Sequence, residues 1–343
     1  MFTCKGIIMW TKIWLLLVLG IAIAFSFLLF RESEVGGDKF LGDQISRSLR
    51  FAEAKSVWWN APLILADTRG VYDRYDLDLT LFDVSTGLAS KNAVVQGNAD
   101  IGMVASTPLV ASALAGEDIV ILGSYVFSSD LLSIVSHAGE AESWWTESVG
   151  YVPGTISEFY MISLLRDEDR EPVYTSEEMN LVKLTPPGMQ PAFLRGDIRS
   201  AVIWEPFTSL IEKAAKDAEM PVVVRSVPDI YALRLYFITD RETWETKREA
   251  VLDLTRAVSE SSASIEREKE AARVEIESYF DYEPGFLSEK FDRTDFSFTV
   301  DREAIRATLE REAELARAAG IVEAFPDFSE MLSVLPEVRE ALR

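Results

Sequence analysis

The chain is poor in the residues that most often carry chemistry: its 343 residues include one cysteine, Cys4, and one histidine, His137. A structural zinc site takes about four ligands drawn mainly from these two types, and a disulfide takes two cysteines. The chain alone can build neither, so no metal or other cofactor is expected. Cys-His catalysis is nearly closed off because Cys4 precedes a long apolar run, and Ser-His chemistry could pass only through His137. Positive charge is scarce too. There are 34 Lys and Arg against 56 Asp and Glu, a net charge of −22, and every acid lies beyond position 30. A surface that acidic repels phosphate backbones, which argues against a nucleic-acid partner. Internal repeats and low-complexity tracts are absent as well. The length suits one large or two medium domains with an ample core.

Positions 13–30, IWLLLVLGIAIAFSFLLF, carry no charge. As a helix they would reach about 27 Å, close to the hydrocarbon thickness of a bilayer. Lys5 and Lys12 precede the run and Glu32, Glu34 and Asp38 follow it, which predicts a cytoplasmic N-terminus and an exported remainder. A cleavable signal peptide is the competing reading. An uncleaved transmembrane anchor is preferred because the run is long and no Ala-x-Ala site follows Phe30. The expected layout is a tip and anchor at 1–30, a tether at 31–50 and an exported body from 51.

In that body short apolar or β-branched runs alternate with helical patterns. Strands are expected at 56–58, 77–84, 100–104, 119–126, 131–136, 148–152, 181–184, 201–204, 222–227 and 233–239. Helices are expected at 62–69, 88–96, 108–115, 158–166, 190–195 and 207–217, several closed by a glycine that suits a left-handed cap. Such alternation indicates an α/β architecture with largely parallel sheets. After Thr239 the pattern becomes helical over 242–280 and 302–319, with Val251, Leu254, Val258 and Ile265 on one apolar face.

Several helices open with the same punctuation directly after a predicted strand. Asn60-Ala61-Pro62, Ser106-Thr107-Pro108, Thr155-Ile156-Ser157-Glu158 and Trp204-Glu205-Pro206 are the cases. Ser, Thr and Asn cap free amides, Thr155 and Glu158 have capping-box spacing, and proline at a first helical position costs no hydrogen bond. Each cap taken singly is explained by its own helix. Aromatic residues gather at the same turns, however: Trp58, Trp59, Tyr125, Phe127, Phe159, Tyr160, Trp204 and Phe207. Turns at the carboxyl ends of parallel strands converge on one edge, where ligands bind.

These turns resemble the substrate-binding proteins of bacterial ABC transporters, in the nitrate/sulfonate/taurine family with its thiamine-precursor branch. The matching stretches are WNAP at 59–62 with Ala66, VVQGNADIG at 94–102, STP at 106–108 and GYVPGT at 150–155 with Glu158 and Phe159. AFLRGDI at 192–198 and WEPF at 204–207 complete the set. The resemblance covers roughly 51–239. It implies the periplasmic-binding-protein type II fold, two α/β lobes joined by a two-stranded hinge. One lobe would hold 51–137 and 232–343, the other 138–231. It also implies a monomer on the periplasmic side of the inner membrane, with ABC permease and ATPase subunits as partners. The G-x-A-D-I-G element is read as structural rather than as a ligand contact.

The expected mechanism is a two-state clamp that closes on a small molecule. Trp58, Trp59, Asn60, Ser106, Thr107 and Tyr125 are the candidate contacts on one lobe. Thr155, Ser157, Glu158, Trp204 and Glu205 are those on the other. Tryptophan and tyrosine can stack on a planar ring or face a cation. None of these turns carries Arg or Lys, and Glu158 and Glu205 favour a neutral or cationic nitrogen compound, a pyrimidine or an amine. Service of these carboxylates at helix N-termini or the hinge is the competing reading, which leaves a sulfonate- or nitrate-type anion as the alternative. Two other classes compete. An enzyme on the same fold is disfavoured by the Cys and His counts, and a membrane-tethered sensory or accessory module would pass ligand status to a partner.

Overall fold

The computed structural model describes residues 47–54, 57–139, 141–167, 179–228, 230–318 and 320–343. The expected anchor at 13–30, and the tether up to 46, lie outside the described residues. Among the described residues no helix is long and apolar enough to cross a membrane.

From Leu49 onward the chain forms an α/β body with two five-stranded sheets. The first sheet is ordered β2-β1-β3-β10-β4, from β1 (Ser48–Glu53), β2 (Asp78–Asp83), β3 (Ile101–Ala105), β4 (Ile119–Ser128) and β10 (Leu233–Asp240). The second is ordered β7-β6-β8-β5-β9, from β5 (Leu132–His137), β6 (Ser148–Tyr151), β7 (Asn180–Lys183), β8 (Ser200–Trp204) and β9 (Val222–Arg225).

Neither sheet is parallel throughout. β1 and β3 are parallel, as are β6 with β7 and β8. β10 runs against both β3 and β4, and β5 against both β8 and β9. The antiparallel strands belong to the chain's two passages between the sheets. β4 leaves the first sheet at Ser128, opposite Leu233 of β10. β5 enters the second sheet at Leu132, after three intervening residues, beside β9. The two passages therefore lie side by side. β5 was expected in the first half, with the boundary at 137/138, but its ladder with β8 places it in the second sheet.

Other expectations shift for local reasons. The first strand lies at Ser48–Glu53, across the expected boundary between tether and body, because Arg50 and Glu53 hide an alternation that buries Leu49 and Phe51. Of the expected strand at 56–58, position 56 lies outside the described residues and Trp58 opens a 3-10 turn, Trp58–Asn60. The long helix at 242–280 is three helices, Arg241–Thr246, Arg248–Arg267 and Lys269–Tyr279, broken where Lys247 and Glu268 leave helical φ at −123° and −129°. Short helices at Val71–Arg74, Ser288–Arg293 and Leu335–Ala341 escape the periodicity reading because each is two turns or less.

The G-x-A-D-I-G element is structural, as read. Asp100 accepts the Arg50 backbone N–H at 2.7 Å and pairs with Lys247 at 3.0 Å. Burial opposes its charge, but the Arg50 and Lys247 contacts outweigh burial and hold the carboxyl below its usual range. A Cβ on Gly102 would come within 2.9 Å of both Ser90 Oγ and Val94 Cγ2. Glycine is what lets the helix Gly87–Val95 lie directly on β3.

Candidate functional site

The carboxyl ends of β1, β2, β3, β6 and β8 surround one cavity, of about 480 Å³ with its mouth included. That is the position open α/β sheets reserve for ligands. The first lobe contributes Ala54, Val57 and Trp59 after β1, Ser85 to Leu88 after β2, and Met103, Ala105 and Pro108 around the end of β3. Leu235 of β10 completes that side. The second lobe contributes Thr155 and Ile156, at the start of the helix Ile156–Asp167, and Trp204 at the end of β8.

Among the described residues that line it none is charged, and Ser85, Thr86 and Thr155 supply the hydroxyls. Donors come from the backbone. Thr86 caps the helix Gly87–Val95: its Oγ1 accepts the Ala89 N–H at 3.1 Å and its carbonyl accepts that of Ser90. The amides of Gly87 and Leu88 precede the helical ladder and have no partner within it. Both residues line the cavity, with the positive end of the helix dipole behind them. Trp59 is 96 % buried, and its indole N–H has no acceptor among the described residues. The described lining is thus apolar and aromatic, with the amides of Gly87 and Leu88 as donors at its edge.

Of the eleven residues singled out from the sequence, Trp59, Thr155 and Trp204 line this cavity. The other eight do not. Trp58 packs against Phe291 and Phe296, at 5.8 and 6.5 Å between ring centroids. Asn60 does not cap its helix: its Nδ2 donates to the Ala54 carbonyl at 2.7 Å, and Tyr125 OH donates to its Oδ1 at 2.9 Å. This buried pair holds the chain at Ala54, where the wall begins. Burial pushes the Tyr125 hydroxyl well above its usual range.

Ser106 and Thr107 lie inside the helix Ser106–Ala115 and turn away from the cavity. They donate to the two carboxylate oxygens of Glu312, at 3.0 and 3.1 Å. Ser157 Oγ accepts the Val152 N–H and donates to the Val202 carbonyl at 2.6 Å, stitching β6 to β8. Glu158 accepts the Gly154 N–H at 2.6 Å, and burial raises its pKa. Glu205 forms an ion pair with Lys290 and accepts the Ser209 N–H. Both carboxylates are therefore committed to the protein itself. His137 ends β5 with its ring 4.5 Å from that of Phe193, and does not line the cavity.

Sequence reading missed the turn 85–88, although Ser85-Thr86-Gly87 after a strand repeats the punctuation seen elsewhere. Pro108 and Ile156 lie within stretches already singled out, whereas Ala54, Val57, Met103, Ala105 and Leu235 are small or apolar and carry no such signal.

A family model described as NMT1/THI5 like matches residues 60–272, more than half of the chain. No curated protein matches in sequence. Among solved structures, the periplasmic aliphatic sulphonate-binding protein of Escherichia coli superposes with a TM-score of 0.65 at 17 % identity, covering 83 % of this chain and 91 % of that one. The alkanesulfonate-binding protein of Xanthomonas axonopodis pv. citri, bound to MOPS, gives 0.66 at 15 % identity over 86 % and 97 %. The periplasmic nitrate-binding protein of Synechocystis gives 0.62 at 12 % identity over 86 % and 88 %. At these identities the likeness is one of fold: two α/β lobes of the periplasmic-binding-protein type.

Proposed function

Because the chain belongs to the NMT1/THI5-like family, we propose that it is an extracytoplasmic solute-binding protein that captures a small organic molecule between its lobes and delivers it to an ABC permease. The observation that carries this reading is a cavity walled by both lobes, with Trp59 on one side and Thr155 and Trp204 on the other. A ligand touching both lobes favours the state in which they are close.

The lining favours a neutral planar heterocycle of the pyrimidine class. Its ring faces would lie against tryptophan, and its ring nitrogens would accept from the Trp59 indole or the amides at Gly87 and Leu88. An amine fits less well, since Glu158 and Glu205 are engaged elsewhere. The second reading is an oxyanion-bearing compound such as an alkanesulfonate, favoured by the helix N-terminus at Gly87. Thr155, Trp59 and Trp204 are the contacts retained from the sequence, and the turn 85–88 is added to them.

Thermal-shift and calorimetric measurements with 4-aminopyrimidine, butanesulfonate, nitrate and butylamine test the reading. A compound that binds only the folded state raises the melting temperature with its excess over Kd. Binding of butylamine alone would reverse the ligand assignment, and binding of none would remove the solute-capture reading. Co-purification with a permease and ATPase supports transport. Recovery of a signalling partner in their place supports a tethered sensor.

A further inference from the structure

The two aromatic walls of the cavity are joined behind it. Trp58, next to Trp59, packs on Phe291, which also packs on Phe296 at 4.7 Å between centroids. This segment is fixed to the first sheet, because Asp295 bridges Phe127 at the end of β4. Lys290, next to Phe291, forms an ion pair with Glu205, the residue that follows Trp204. Glu205 is held in the second lobe: its N–H donates to the Leu131 carbonyl at 2.9 Å, and its carboxylate accepts the Ser209 N–H at 3.3 Å. The path Trp59, Trp58, Phe291, Lys290, Glu205, Trp204 therefore runs from wall to wall, and the ion pair is its crossing between lobes.

Resting on the solute-binding reading above, we infer that Lys290 is a positioning residue, whose ion pair with Glu205 sets the spacing between Trp59 and Trp204 and hence the width of the slot that receives the solute. The Glu205 side chain is 1 % exposed, so parting the lobes would leave a buried carboxylate without its cation. Attraction across a partly buried contact is screened far less than at the surface. A second cross-lobe pair, Lys213 with Glu283 at 4.0 Å, is exposed on both sides and adds little.

Electron-spin distance measurements on the full chain test this directly. Cys4 is replaced by serine, and labels are placed at Val95 on the first lobe and Val223 on the second, both exposed. Lys290→Met is expected to broaden the distance distribution and shift its mean, Lys290→Arg to restore it, and the neutral pair Glu205→Gln with Lys290→Met to remain as broad as Lys290→Met. The affinity for 4-aminopyrimidine should fall about tenfold in Lys290→Met and recover in Lys290→Arg. Melting curves confirm folding, and Lys290→Gln takes the place of a methionine variant that does not fold. An unshifted distribution in Lys290→Met or in the neutral pair overturns the inference, because a pair that merely stabilised its own loop would leave the lobe spacing alone. Shifted distances with no probe binding to the wild type keep the clasp and remove the solute-binding reading.

Discussion

Two turns with the same appearance in sequence have opposite destinations in the molecule. Ser106-Thr107 and Thr155-Ile156-Ser157 each follow a buried strand and open a helix. The first is drawn into the core, where Glu312 from the helix Arg302–Ala318 collects both hydroxyls and Tyr231 OH lies 3.5 and 3.3 Å from them. At the second the nearby acid, Glu158, takes the Gly154 N–H instead of the hydroxyls. Thr155 Oγ1 donates to the Val152 carbonyl at 2.7 Å and accepts from Ser157 N–H, and the residue still lines the cavity. A hydroxyl at a strand end serves the core or the cleft according to what a distant segment brings to it. The decisive residue lies about two hundred positions away and is not part of the motif.

The largest effect should come from removing that residue. Glu312 is 3 % exposed, and burial pushes its pKa up to about 7, although hydrogen bonds from Tyr231, Ser106 and Thr107 lower it. A carboxyl whose folded pKa is raised binds its proton more tightly in the native state. Its contribution is complete below the unfolded value of 4.5 and is lost as pH rises toward 7. At pH 5 Glu312→Ala should cost about 4 kcal/mol in urea denaturation, from an emptied site and three hydroxyls left without their acceptor. At pH 8 the cost should shrink to about 1 kcal/mol, because the wild type then carries a buried charge.

The wild-type curve itself provides the next largest effect. Between pH 4.5 and 7 stability should fall by about 3 kcal/mol through this one group, and Glu312→Gln should flatten that decline. A decline of unchanged slope in Glu312→Gln would assign it to another group. Asp100 acts in a different window. Its carboxyl is held low by Arg50 and Lys247, so its contribution is lost only as pH falls below the ordinary carboxylate range.

A smaller effect separates a third turn. Asn60 was grouped with the cleft residues, yet it joins Tyr125 beneath the wall. Tyr125→Phe should cost about 1.5 kcal/mol by leaving Asn60 Oδ1 short of a donor. Ligand affinity should change little, as calorimetry would report, because neither side chain lines the cavity.

What could be read in advance follows the range of the forces involved. Strand and helix alternation is local, and so are the VVQGNADIG and WEPF stretches; the two-lobed fold was therefore legible. Which lobe β5 joins depends on its partners β8 and β9, more than sixty residues away, so the boundary was misplaced. Trp59 and Trp204, which line the cavity, stand out in the sequence as large aromatics at turns. Met103, Ala105 and Leu235 were invisible because they have the same composition as the core. Glu158 and Glu205 were seen as acids at the right turns, but their partners, a backbone amide and Lys290, are set by folding.

The smallest change in stability should fall at Thr155, and there the comparison is sharpest. Thr155→Ala removes a hydroxyl that accepts one amide and donates to one carbonyl at the start of a helix. Loss of such a contact costs about 1 kcal/mol. The same hydroxyl lies on the cavity wall, so affinity for the compound bound in calorimetry should fall about fivefold, corresponding to roughly 1 kcal/mol. Ser106→Ala should do the reverse: a larger loss in urea denaturation with unchanged affinity, since its hydroxyl belongs to Glu312. Were Ser106→Ala to weaken binding more than Thr155→Ala, the turn at 106 would have to open toward the solute. The distinction between core-turned and cleft-turned caps would then fail.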